Sequence, residues 1–271
     1  MPELPEVETT RRGLARYLCG SRIASVIVRD RRLRWPVPER IEQILAGRTI
    51  GAIERRGKYL LIDCGDGTLL VHLGMSGRLR LVPAGTHASR HDHIDVCLDN
   101  GQAMRLTDPR RFGAFLWLAG AAAEHPLLRD LGIEPLDDRF DGSWLYAATR
   151  SARVAIKQWL MNGRRVTGIG NIYANEALHR AGIHPLRAAG RLGAERCARL
   201  AAATRETLRL AIDAGGSSLR DYVDTDGQAG HFQQTYLVYG REGESCRNCG
   251  GTVRAIRQGQ RATYYCPHCQ R

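Results

Sequence analysis

Ile94-Asp95-Val96-Cys97-Leu98-Asp99-Asn100-Gly101-Gln102-Ala103-Met104-Arg105-Leu106-Thr107 decides the fold of the first half of the chain. Two apolar runs, 94–98 and 103–107, flank Asp99-Asn100-Gly101. Asn and Gly accept the positive backbone φ of a tight turn at little cost, so the triplet is a strong hairpin signal. So short a connection joins antiparallel strands only, because a parallel return needs about a dozen residues or more. Outward from this hairpin, strand patterns recur at 22–28, 49–55, 59–63, 68–73, 77–82 and 115–118. Residues 5–18 read as a helix, with Pro5 near the first turn and Glu6 and Glu8 at the positive end. Val7, Leu14, Tyr17 and Leu18 form its expected buried stripe. A short helix over about 38–45 stops at Gly47. The pattern predicts a mostly antiparallel sandwich or barrel with a helix packed on it.

The pattern loosens around 119–141, where Pro126, Pro135 and several Asp mark a linker. Helices are predicted at 143–149, 155–161, 172–180 and 193–214, and strand-and-turn character returns from 238 onward. The class is therefore α+β: an N-terminal antiparallel β-sandwich with flanking helices over 1–135, a helical domain over 136–237 and a four-cysteine ribbon over 238–271. No internal repeat or low-complexity segment is present.

The formal net charge is +12, from 40 Lys+Arg against 28 Asp+Glu, and the basic residues are spread along the chain. Such a surface suits a polyanion, most simply nucleic acid; the alternative on charge alone is a merely soluble basic protein. Only Lys58 and Lys157 are lysine; the other 38 basic residues are arginine. Arginine stays protonated, whereas lysine can be tuned to give and take a proton, so both lysines are candidates for chemistry. Residues 1–12 mix both charge signs and lack an apolar core, unlike a secretory signal. The longest apolar run, 112–123, is too short to span a bilayer. The reading is a cytosolic protein whose eight cysteines are not disulfide-bonded. Cys19, Cys64, Cys97 and Cys197 are scattered and expected to be buried or inert.

The other four form Cys246-x2-Cys249 and Cys266-x2-Cys269, separated by 16 residues. Two such knuckles present four thiolates in the pattern of a tetrahedral structural zinc site; an iron–sulfur cluster or a redox pair are the alternatives. His268 lies inside the second knuckle and is surplus to four sulfurs. The segment is too small to fold alone, so the metal would supply its stability. A closed site does no catalysis. It would stiffen a loop carrying Arg254, Arg257 and Arg261, a device for docking on DNA.

The chain begins Met1-Pro2-Glu3-Leu4-Pro5-Glu6-Val7-Glu8. If Met1 is removed, Pro2 carries a free secondary amine. An α-amino group titrates near ~8 against ~10.4 for lysine, and a helix N-terminus lowers it further. Such an amine can attack an electrophilic carbon, and Glu3 beside it can protonate a leaving group. The structural alternative is ordinary: acidic residues before a helix are usually caps.

Further motifs accompany this run: Gly57-Lys58-Tyr59-Leu60, His72-Leu73-Gly74-Met75-Ser76-Gly77, His91-Asp92-His93, Asp108-Pro109-Arg110-Arg111-Phe112-Gly113, Gly168-Ile169-Gly170-Asn171-Ile172-Tyr173-Ala174-Asn175-Glu176 and Arg261-Ala262-Thr263-Tyr264-Tyr265-Cys266. In this order, over essentially the whole chain, the set closely resembles the formamidopyrimidine-DNA glycosylase family of bacterial 8-oxoguanine DNA glycosylase/AP lyases. The resemblance implies a helix–two-turn–helix in the helical domain and one structural zinc ion. It implies Pro2 as nucleophile at C1′, Glu3 as proton donor, Lys58 as proton donor during β-elimination and Arg261 at the δ-elimination. Arginine hardly deprotonates, so holding the departing phosphate suits Arg261 better than donating a proton. Met75, Arg110 and Phe112 match the set that fills the hole left by a flipped base. His91, Arg110 and Arg153 match backbone contacts. Lys157, four residues after Arg153, could share its phosphate track on a helix. Asn171 follows a glycine turn that lets backbone N–H groups approach a phosphate. Residues 217–228 resemble a loop that closes over the extruded base. The implied partner of the monomer is duplex DNA, with no membrane. An endonuclease VIII-like enzyme for oxidised pyrimidines and a non-catalytic zinc-ribbon DNA-binding protein are the competing readings.

Overall fold

The computed structural model describes residues 2–217 and 230–271. The chain divides into two compact units, Met1–Asp130 with Ala214–His231, and Leu131–Asp213 with Phe232–Arg271.

In the first unit, α1 (Leu4–Leu18), β1 (Ile23–Val28) and α2 (Ile41–Leu45) precede β2 (Ile53–Arg56), β3 (Tyr59–Asp63), β4 (Thr68–His72), β5 (Arg78–Pro83), β6 (Asp92–Leu98), β7 (Gln102–Thr107) and β8 (Ala114–Leu118). The strands form two antiparallel four-stranded sheets, β1-β6-β7-β5 and β2-β3-β4-β8. The opening hairpin is real: Gly101 sits at φ +82° and closes back on Leu98, and Asn100 Oδ1 accepts Gln102 N–H at 3.1 Å. Both sheets face one core. Val26, Leu79, Val96 and Leu106 meet Leu60, Ile62, Val71 and Phe115 there, with Val7, Leu14 and Leu18 of α1. Burying a side chain of this size stabilises the fold by about 1.5–3 kcal/mol.

Tyr17 does not belong to the α1 stripe; it is 42% exposed. At 3.6 residues per turn it lies roughly 80° around the helix from the line through Val7, Leu14 and Leu18. A bulge between Ile23 and Ser25 interrupts the pairing of β1 with β6. Among the scattered cysteines, Cys64 and Cys197 are buried, Cys97 is half-buried, and Cys19, at the C-cap of α1, is exposed.

In the second unit, α3 (Gly142–Thr149), α4 (Ile156–Leu160), α5 (Asn171–Arg180) and α6 (Ala194–Asp213) are followed by the antiparallel pair β9 (Arg254–Gln258) and β10 (Arg261–Tyr265). The buried Glu176 of α5 accepts the backbone N–H groups of Leu237, Val238 and Tyr239, which anchors the chain just before the cysteine ribbon. Burial pushes its carboxyl above the usual range against the lowering effect of those three donors. Among the described residues, no helix is long and apolar enough to cross a membrane.

Candidate active site and nucleic-acid interface

Pro2 and Glu3 are buried immediately ahead of α1, and Glu3 is its N-cap. Glu3 and Glu6 form a capping box, in which Glu6 Oε2 accepts Glu3 N–H at 2.7 Å. The other oxygen of Glu6 accepts Ser217 N–H at 2.8 Å. Gly216, at φ +83°, passes so close that a Cβ there would meet Glu6 Cγ at 3.1 Å. One carboxylate therefore fixes both the start of the chain and the base of a segment more than 200 residues away. Beyond Ser217, the loop expected over 217–228 lies outside the described residues.

Lys58 sits at the β2–β3 turn, partly exposed. A relay holds that turn against α1. Glu8 of α1 accepts Arg55 Nε at 3.2 Å, and Arg55 donates onward to Gly57 O at 3.0 Å. Hydrogen bonds from Arg11 and Arg12 outweigh burial and hold the Glu8 carboxyl below its ordinary range. Across the sheet, His72 stacks on Tyr59 with ring centroids 4.7 Å apart. Its Nδ1 accepts Gly74 N–H at 3.1 Å, which leaves the ring proton on Nε2. Burial, then the Lys58 and Arg34 cations, pull His72 down to about 4.

Met75 and Phe112 are each 42% exposed, and Arg110 lies over the Phe112 ring at 4.9 Å. Two loops carry them, and Asp108 joins the loops. Its fully buried carboxylate accepts Ser76 O–H and Gly113 N–H, both at 2.9 Å, while Ser76 Oγ accepts Arg110 N–H at 3.2 Å. Gly74, at φ +61°, lets the loops touch: a Cβ there would lie 2.4 Å from Phe112 C. Arg111, at φ +56°, is the single positive-φ residue other than glycine among the described residues. His91 is attached to the same turn, accepting Asp108 N–H through its carbonyl at 3.0 Å. Asp108→Ala leaves two buried donors unpaired. It should cost roughly 2–4 kcal/mol in urea unfolding, and lower lesion excision more than binding to undamaged duplex.

In the second unit, Lys157 and Arg153 do not share a helical phosphate track. Arg153 is exposed but precedes α4, whose N-cap, Ala155, is extended, so the four-residue spacing is not helical. Lys157 is 2% exposed and donates to Ala262 O at 3.1 Å and Thr263 Oγ1 at 2.6 Å. Asn171 opens α5 after Gly168, at φ +84°, and also donates to Ala262 O, at 3.0 Å. Asn175 Oδ1 takes Tyr264 N–H at 2.8 Å. These residues clamp β10, and Arg261 stands exposed at its start, opposite Gln258 and next in register to exposed Arg257, while exposed Arg254 pairs with Tyr265 at the other end.

The ribbon brings Cys246, Cys249, Cys266 and Cys269 together, with all four sulfurs within 4.8 Å of one another. The sulfur separations are 3.8 Å for Cys246–Cys269 and 3.5 Å for Cys249–Cys266. A tetrahedron with Zn–S of about 2.3 Å has edges of about 3.8 Å. Backbone N–H groups of Asn248 and Cys249 also point at the Cys246 sulfur, and those of His268 and Cys269 at Cys266. The quartet fits one structural zinc ion, with no position left open for a reactant.

Residues 1–115 match the formamidopyrimidine-DNA glycosylase N-terminal domain, residues 131–223 the formamidopyrimidine-DNA glycosylase H2TH domain, and residues 243–271 the zinc finger found in FPG and IleRS. The chain belongs to the formamidopyrimidine-DNA glycosylase family. A formamidopyrimidine-DNA glycosylase of Thioalkalivibrio sulfidiphilus is 57% identical over 271 residues, covering 100% of both chains. Among solved structures, a mutant Lactococcus lactis FPG in complex with DNA containing Fapy-dG superposes with TM-score 0.91 at 35% identity, over 100% of both chains. The Lactococcus lactis Fpg bound to DNA with an abasic site gives 0.91 at 34%, over 99% of each. Motif reading singled out the exposed candidates Met75, Arg110, Phe112 and Arg261. It missed the roles of Glu6, Ser76 and Asp108, whose partners lie far away in sequence. Only their presence inside quoted motifs hinted at them.

Proposed function

We propose that this base-excision-repair DNA glycosylase removes oxidised purines, 8-oxoguanine and formamidopyrimidines, from duplex DNA and then cuts the strand as an AP lyase. The carrying observation is the buried Pro2-Glu3 pair at the positive end of α1, with Glu3 tied by Glu6. Pro2 nitrogen bonds to C1′ as the C1′–N bond to the base breaks, and Glu3 protonates the leaving group or the opening sugar. The resulting iminium acidifies C2′. Loss of that proton expels the 3′ phosphate, with Lys58 moving a proton at this stage. A second elimination releases the 5′ phosphate, which Arg261 holds as a cation. Met75 and Phe112 fill the space of the flipped nucleotide, Arg110 pairs with the orphaned base, and His91, Arg153 and Asn171 contact the strand backbone. Lys157 acts on that backbone only through β10, which it fixes. Bound zinc supplies rigidity to the ribbon and no reaction step. The protein acts as a monomer on DNA in the cytoplasm.

Duplexes carrying 8-oxoguanine opposite cytosine, or thymine glycol, decide between purine and pyrimidine chemistry. The expected result is preferential cutting of the 8-oxoguanine strand by at least about tenfold, worth roughly 1.4 kcal/mol, with phosphates on both sides of the gap. Preference for thymine glycol would transfer the protein to the endonuclease VIII-like reading. No cutting of either would leave a DNA-binding protein alone.

A further inference from the structure

Helix α5 carries a buried imidazole that the chemistry above does not use. His179 is 2% exposed, and its Nε2 lies 3.5 Å from Sγ of Cys246. Among the described residues, its Nδ1 has no hydrogen-bond partner. A doubly protonated ring would bury a second N–H with no acceptor, and a buried orphan donor is rarer and costlier than an unused lone pair. The neutral ring with its proton on Nε2 aims that N–H at the sulfur. Cys246 is itself 3% exposed, in an apolar cluster with Val238 and Val253. Four thiolates around one zinc carry a formal surplus of negative charge, and in such surroundings every donor to sulfur matters.

Asn171, Asn175 and His179 recur at four-residue spacing, so they share one face of α5. The first two grip β10 through Ala262 O and Tyr264 N–H, and the third reaches the metal site. Cys266, equally buried, receives the two amides of its own knuckle, whereas Cys246 receives its two amides and the imidazole. We propose that His179 is an outer-sphere hydrogen-bond donor to zinc-bound Cys246, locking the metal to helix α5 and slowing its loss. The donor withdraws charge from the thiolate and so opposes the protonation or attack by which zinc release begins.

The test uses the full-length zinc protein, His179→Phe and His179→Gln. Phe fills the space without a donor; Gln restores a neutral N–H. Zinc transfer to excess 4-(2-pyridylazo)resorcinol is followed in each, together with the thiolate-to-cobalt charge-transfer band of the cobalt-substituted proteins. His179→Phe should release zinc at least about tenfold faster than the parent and displace the cobalt band, and His179→Gln should recover most of both. Parental release and an unmoved band in His179→Phe would overturn the assignment. If His179→Phe does not fold, His179→Leu, which also lacks a donor, decides by the same two measurements: faster release with a displaced band supports the donor, and parental release with an unmoved band removes it.

Discussion

Extending the chain ahead of Pro2 with an uncleaved tag abolishes borohydride capture of lesion-bearing DNA, and Pro2→Gly lowers it by at least about three orders of magnitude, the scale of losing a nucleophile. A tag turns the amine into an amide, whose nitrogen lone pair is delocalised into the carbonyl and cannot attack. Glycine keeps an amine, so its failure is more informative. The iminium formed by a secondary amine has no N–H to lose. It stays cationic and keeps drawing electrons from C2′, whereas a glycine adduct can shed its proton and become a neutral imine. Proline also restricts φ, so the amine is held at one angle ahead of α1. That position is over-determined: Pro2 is buried, and the next N–H is bound by Glu6. Single-turnover excision and trapping yield should fall together in both proteins, while binding to undamaged duplex changes little. A tagged protein that traps as efficiently as the untagged one would remove Pro2 from the chemistry.

Removing the metal has the second-largest effect, and it should fall unevenly. Cys266→Ser, or prolonged chelation, deletes a zinc contribution of about 10–16 kcal/mol at neutral pH for small structural sites. The ribbon's own apolar cluster is small: among the described residues it contains Val238 and Val253 besides Cys246 and Cys266, with Tyr264 and Cys269 packed at the edge. When β10 leaves, the buried Lys157 ammonium loses Ala262 O and Thr263 Oγ1, and Asn171 and Asn175 lose the same strand. The loss therefore spreads into α4 and α5. The sandwich core draws its residues from α1, α2 and the eight strands of the first unit, so it should persist. Limited proteolysis is expected to cut the chelated protein beyond residue 237 while a fragment containing the sandwich survives. DNA affinity should fall at least about tenfold through lost phosphate contacts. A chelated protein with unchanged proteolysis and affinity would show that the ribbon stands without its metal.

Elements whose information is local were readable in the chain. The Asp99-Asn100-Gly101 turn, the strand pattern at 59–63 and each CxxC knuckle carry their geometry within a few residues. The exposed candidates Met75, Arg110, Phe112 and Arg261 were legible through ordered motifs. What sequence could not show depends on contacts between distant positions. Lys157 was singled out as a rare lysine, yet its fate is decided by Ala262 and Thr263, and the helix that would have paired it with Arg153 begins only at Ile156. Asp108 reaches back to Ser76, and Glu6 reaches forward to Ser217. No periodicity encodes such pairs, because the chain between them sets the distance. No sequence motif points to His179 as a neighbour of Cys246; the fold puts them together.

The most direct measurement is peptide mapping of the borohydride-trapped complex by mass spectrometry, after digestion of both protein and DNA. The reduced sugar remnant should be found on the nitrogen of Pro2, in the peptide that starts Pro2-Glu3-Leu4-Pro5. A remnant on Lys58 instead, or trapping by a chain whose first residue is still blocked, would contradict the mechanism at its root.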